Sequence, residues 1–126
     1  MSWQSYVDQN LLGTGKIARA AILGQQGGVW AHSNGYELST EEQRAVIDAY
    51  NDPGHVMSSG LKLAGTKFFC PSANKRSIQL KKGADGAVLV KTKQAILVAE
   101  YAAPAQGPEA IMVVESVADY LINMDI

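Results

Sequence analysis

Four side chains in this sequence combine a large apolar ring with a hydrogen-bonding edge at informative places: Trp3, Tyr6, Trp30 and Tyr120. Trp3 and Tyr6 stand three positions apart within the first six residues of a chain that contains only two Trp. First residues fray unless something ties them down. One explanation is ordinary core packing, the common fate of such rings. Against it, Val7, Leu11 and Leu12 already supply a short N-terminal helix with a buried face, so two further aromatics exceed what docking requires. If Trp3, Tyr6, Trp30 and Tyr120 meet, they form an apolar floor rimmed by N–H and O–H donors. That chemistry suits a polyproline II ligand, whose solvated carbonyls accept hydrogen bonds and whose preformed shape loses little entropy on binding.

Other chemistries find less support. His32 and His55 stand apart, with no acid or nucleophile at a useful spacing, so neither reads as a general base and no enzyme activity is expected. Gly13-Thr14-Gly15-Lys16 lacks the full G-x-x-x-x-G-K-[ST] pattern of a phosphate loop and follows a helical stretch instead of a strand. Cys70 is the only cysteine, which rules out an intrachain disulfide and a cysteine-based zinc site. Neither a metal nor a cofactor is expected.

The elements that must position the rings follow from capping and periodicity. Ser2 to Leu12 predicts a short helix, with Trp3, Val7 and Leu11 at four-residue spacing and Gly13 and Gly15 at its end. Residues 20–24 (AAILG) and 29–33 (VWAHS) predict two strands around a Gly-rich turn. Ser39 and Glu42 have the spacing of a capping box opening a helix to about Tyr50, which Asn51-Asp52-Pro53-Gly54 breaks. Strands are then predicted at LKLAG, TKFFC, RSIQL, GAVLV and QAILVAEY; the last two are apolar throughout and belong at the sheet centre. A final helix runs from Glu109 to about Asn123, with Ile111, Val114, Val117, Ala118 and Leu121 inward and Met112, Glu115, Ser116 and Asp119 outward. The order is helix, two strands, helix, about five strands, helix, which favours an antiparallel sheet flanked by helices.

A chain of 126 residues is one domain by length and buries enough surface to fold without staples. No apolar run is long enough to cross a bilayer, and the polar residues Gln4, Asp8, Gln9 and Asn10 interrupt any signal peptide. The expectation is a soluble, intracellular protein. A formal net charge of −1 argues against a nucleic-acid partner. Seven of the eleven basic residues nevertheless fall between positions 62 and 91, enough for an electropositive face or a charged sheet edge.

SWQSYVDQNLLGTG at the N-terminus, VWAHS, the RSI of residues 76–78, VKTKQAILVAEY and ADYL together closely resemble the profilins over the whole chain. The resemblance implies an α+β fold: a central antiparallel sheet of six to seven strands, with N- and C-terminal helices on one face and short helices on the other, as a single domain over residues 1–126. It implies a cytoplasmic, cytoskeleton-associated protein that binds monomeric actin, promotes exchange of actin's nucleotide, and binds proline-rich segments of formins and phosphatidylinositol 4,5-bisphosphate at membrane surfaces. Trp3, Tyr6, Trp30 and Tyr120, with Leu121 at the margin, are implied as the polyproline site. Cys70, Ser72, Arg76, Lys81, Lys91, Met112 and Glu115 are implied at the actin surface. The alternative is a regulatory or trafficking module of similar fold that does not bind actin. Two departures stand out. Many profilins read R-A-D-D-R-S-I-Y-G where this chain has Ser72-Ala73-Asn74-Lys75-Arg76-Ser77-Ile78-Gln79-Leu80, and many relatives end in Gly and an aromatic where this chain ends NMDI. The missing Arg at Ser72 predicts weaker actin binding. Pro71 beside it removes a backbone donor and predicts a sheet edge or a bulge.

Overall fold

The computed structural model describes residues 2–126. Ser2 caps the first helical segment, its hydroxyl accepting the Ser5 amide at 3.1 Å. The segment starts as α1 (Trp3–Ser5), widens into a π-helical stretch (Tyr6–Leu11) and closes as a 3-10 turn (Leu12–Thr14) before Gly15, which adopts the left-handed conformation. Its extent is close to that predicted, but its winding is not. The Leu12 amide reaches back five residues to the Val7 carbonyl, so Tyr6, Val7 and Leu11 all turn inward.

Strands β1 (Arg19–Gly24) and β2 (Val29–His32) follow. The expected capping box then opens α2 (Thr40–Asn51): Ser39 Oγ accepts the Glu42 amide at 3.1 Å, and Glu42 Oε1 accepts the Ser39 amide at 2.9 Å. The predicted break at residues 51–54 is real, but the chain restarts at once as α3 (Pro53–Ser59). Asp52 accepts the His55 amide at 3.2 Å, and Pro53 occupies the first turn, where a missing N–H costs nothing. Five strands come next: β3 (Leu61–Leu63), β4 (Thr66–Ala73), β5 (Ser77–Lys82), β6 (Asp85–Lys91) and β7 (Ala95–Tyr101). The last helix, α4 (Gly107–Asn123), begins two residues before the predicted Glu109. Gln106 is its cap, and the Glu109 carboxylate reaches back to the Gln106 amide at 3.1 Å.

All strand pairs are antiparallel, in the order β2-β1-β7-β6-β5-β4-β3. Every residue of β7 is buried, as its unbroken apolar run predicts for a central strand. One sheet face packs Ile22, Val88 and Leu97 against Val7, Leu11, Val114 and Leu121 of the terminal helices. The other packs Leu23, Leu89 and Val98 against Val46, Tyr50 and Val56 of α2 and α3. The one buried carboxylate among the described residues, Glu100, accepts from Arg19 Nη1 at 2.7 Å and from the Tyr36 hydroxyl at 2.5 Å. Burial and that neighbouring charge push the Tyr36 phenol far above its ordinary range, so it stays a donor.

Two one-residue bulges break the ladders. In β2, Ala31 pairs Ile22 and Val29 pairs Leu23, which leaves Trp30 without a partner. In β4, Phe69 pairs Lys81 and Ser72 pairs Gln79, so Cys70 and Pro71 together oppose Leu80. The second is the irregularity expected from Pro71. Bulges re-aim side chains, and each of these lies beside a candidate site.

Candidate binding surfaces

The four aromatic residues come together. Trp30 and Trp3 have ring centroids 5.1 Å apart, Trp3 and Tyr6 are separated by 5.9 Å, and Tyr6 and Tyr120 by 6.3 Å, every pair tilted by 50–57°. They form a track from the bulge of β2, across the first helical turn, to the end of α4. Trp30 and Tyr120 are 42% and 51% exposed, Trp3 is half-buried, and Tyr6 is buried as the floor between them. Tilted contacts at these distances are favourable beyond their buried area, which keeps a nominally free terminus in place. Among the described residues none of the four offers its N–H or O–H to a protein acceptor. The Tyr6 hydroxyl is also not among the buried unpaired groups, which are Asn10 Oδ1 and Tyr50 Oη. The track is therefore apolar in its middle and carries donors without a partner among the described residues.

Leu121 does not join this surface. It lies on the inward stripe of α4 with Val114 and Val117 and is fully buried, so it supports the track from within and presents nothing to a ligand.

A second surface forms on the α4 side of β4 and β5, where Phe69 and Ser72 are exposed and Gln79 and Lys81 partly so. Cross-strand register sets Phe69 opposite Lys81 and Ser72 opposite Gln79, and Lys81 opposite Gly86, which in turn opposes Tyr101. Gly86 is required here, because a Cβ would lie 2.4 Å from the Tyr101 hydroxyl oxygen. The Tyr101 ring thus crosses the strand, and Lys81 Nζ sits 5.6 Å from its centroid. On the flanking side of α4, Met112 is 72% exposed. Glu115 accepts from Arg76 Nη2 at 2.8 Å and from Ser77 Oγ at 2.5 Å, and Asp119 accepts from the same Arg76 nitrogen at 2.7 Å. Those hydrogen bonds, from Asp119 first, hold the guanidinium charged. The Asn74 side chain prepares the turn by accepting the amides of Arg76 and Ser77, both at 2.8 Å.

Ser72, Arg76, Lys81, Met112 and Glu115 therefore share one face. Cys70 and Lys91 do not. Cys70 is buried on the α2 side of β4, its thiol pushed up by burial and donating to the Ser72 carbonyl at 3.3 Å. Lys91 pairs with Ile96 and lays its ammonium 5.5 Å from the Tyr50 ring centroid, again on the α2 side. Alternation along a strand separates both from the shared face. Conversely, Phe69 belongs to that face with 58% exposure, although no sequence motif marks it. In TKFFC two adjacent rings must point to opposite faces, a signal that one of them is unpartnered.

The profilin family model matches residues 1–126. Profilin-2 of Acanthamoeba castellanii is 45% identical over 123 residues, 98% of this chain and 98% of that protein. The chain belongs to the profilin family. The crystal structure of profilin II from the same organism in its cubic form superposes with a TM-score of 0.96 at 43% identity, covering 99% of this chain and all of the other. Mouse profilin IIa, solved in complex with a double repeat from the FH1 domain of mDia1, shares the fold at a TM-score of 0.82 and 22% identity, with full coverage of both chains. The helix-flanked antiparallel sheet expected from the sequence is thus the profilin fold.

Proposed function

We propose that this chain is a non-enzymatic adaptor that holds a proline-rich segment, such as those of formins, on the aromatic track and an actin monomer on the face of β4, β5 and α4. The observation that carries the proposal is the track itself: four rings in contact at 5.1–6.3 Å whose donors have no partner among the described residues. Rings held by one another lose little entropy on binding a preformed polyproline II helix. The solved complex of mouse profilin IIa with an FH1 repeat supports the same class of ligand on this fold.

The second face supports the actin half of the proposal. It has an exposed apolar pair, Phe69 and Met112, rimmed by Lys81, Arg76, Glu115 and Asp119, the mixture of apolar centre and charged border found in protein interfaces. An adaptor at this face would also alter exchange of actin's nucleotide, and the lysines of residues 62–82 would draw the chain to anionic phosphoinositides in the cytoplasm. Among the described residues no helix is long and apolar enough to cross a membrane. The test is retention on immobilised polyproline and on immobilised monomeric actin, followed by actin nucleotide-exchange kinetics and sedimentation with phosphatidylinositol 4,5-bisphosphate vesicles. Retention on polyproline without any effect on actin would restrict the function to the track and revive an actin-independent adaptor.

A further inference from the structure

The ring at one end of the track stands on a residue that has no side chain. Trp30 occupies the bulge of β2, and its indole lies against Gly24 at the end of β1. A Cβ placed on Gly24 would lie 2.8 Å from Trp30 Cζ2 and 2.9 Å from both Cε2 and Nε1, closer than side chains approach one another. Nothing else lies among the three nearest atoms, and Gly24 does not have the left-handed backbone that would itself exclude alanine. The ring is therefore the first group a side chain at this position would meet. The position of Gly24 is otherwise fixed: its amide donates to the Gly28 carbonyl at 3.0 Å, its carbonyl accepts the Gly27 amide at 3.1 Å, and it pairs with Ala95 of the fully buried β7. The strand cannot retreat, so an added methyl group must displace the ring.

We propose that Gly24 is the seat of Trp30 and hence a positioning residue for the proline-rich ligand. The bulge turns the indole toward Trp3, and the bare backbone of Gly24 sets its height, so that it continues the track at 5.1 Å from Trp3. This inference rests on the aromatic track being the proline-rich site, but the placement of the ring is independent of any ligand.

Two measurements separate the inference from the function it serves. In a Trp3→Phe background, where Trp30 is the only tryptophan, Gly24→Ala should shift the emission maximum to the red and raise iodide quenching as the ring leaves its shelter; unchanged emission overturns the inference whether or not polyproline binds. In the parent chain, Gly24→Ala should weaken binding of a polyproline peptide at least tenfold, while the same substitution in a Trp30→Ala background changes it less than twofold, because no ring remains to be displaced. Equal losses in both backgrounds would mean a general structural defect and overturn the inference. If Gly24→Ala fails to fold, the Gly24→Ala/Trp30→Ala double variant should fold, and its failure would count against the clash as the cause. A parent that does not bind polyproline refutes the function and leaves the fluorescence result to decide the seat.

Discussion

The two exposed surfaces solve opposite problems with their polar groups. On the aromatic track the N–H and O–H donors have no partner among the described residues, and the rings hold one another by edge and face contacts. On the face of β4, β5 and α4 the charges are already engaged: Arg76 is shared between Glu115 and Asp119, and Glu115 also takes the Ser77 hydroxyl. A ligand reaching the track replaces water on those donors and breaks no hydrogen bond among the described residues. A partner reaching the second face meets a network it must extend or rearrange, while Lys81, Phe69, Ser72 and Met112 lie outside that network. The first surface should therefore bind with little response to salt, and the second with a strong one.

The largest expected effect tests the first half of this contrast. Trp3 contacts both Trp30 and Tyr6, so Trp3→Ala splits the track. Polyproline affinity should fall by about 2 kcal/mol or more, since central aromatic anchors commonly carry that much. The measurement is fluorescence or calorimetric titration with a polyproline peptide, with circular dichroism as the check on folding. A folded variant that binds within about twofold of the parent would refute the assignment.

Charge reversal at Lys81 probes the second half. Lys81 is held beside Tyr101 and opposite Phe69, outside the Arg76 network. Lys81→Glu should weaken actin binding about tenfold at low salt, chiefly through slower association, and by less as salt rises. Polyproline binding should not change. Equal loss of both ligands in a folded variant would show that the two surfaces are one.

The reach of the sequence differs between these surfaces for a physical reason. Rings of Trp and Tyr outside the needs of a short helix mark themselves by type, so the track could be assembled from Trp3, Tyr6, Trp30 and Tyr120 before any coordinates. The resemblance to profilins then gave the fold down to which helices share a face. What stayed hidden depends on phase. Cys70 and Lys91 fall on the α2 side because a strand alternates, and the bulge at Cys70 and Pro71 resets that alternation by one residue. Leu121 neighbours an exposed Tyr120 yet is buried, because one step along a helix turns a side chain by about 100°. The pairing of Arg76 with Glu115 and Asp119 joins residues 39 and 43 positions apart, and no local pattern announces it. The restart of α3 was encoded in Asp52-Pro53, which serves as a helix opening as readily as a break.

The network on the second face can be weighed by its removal. Arg76→Ala and Glu115→Gln should each lower stability by about 0.5–1 kcal/mol, the usual scale for an exposed ion pair, read as a shift in urea midpoint. The double variant should cost more than either single one but less than their sum, because both remove the Arg76–Glu115 contact while Asp119 and Ser77 are separate partners. Fully additive losses would show that Arg76 and Glu115 act through separate partners, and the contrast with the unpaired track would weaken.

The smallest expected effect concerns Ser72, where the family pattern has an Arg. Pro71 raised the question of whether position 72 still faces the shared surface, and the register answers it. Ser72 opposes Gln79, two residues from Lys81 on the same strand face, and is exposed, so the bulge is complete before position 72. An Arg here would project beside Phe69 and Lys81 with a planar fork able to pair with a carboxylate or with carbonyls, which Ser cannot imitate. At an exposed position such a contact is worth up to about 1 kcal/mol, as for other surface ion pairs. Ser72→Arg should therefore bind monomeric actin several-fold more tightly than the parent at low salt, with the gain shrinking at physiological salt and polyproline affinity unchanged. An affinity that stays flat at both salts would mean that Lys75 already supplies the charge or that actin does not approach this end of β4, and the proposed face would have to move toward Met112 and α4.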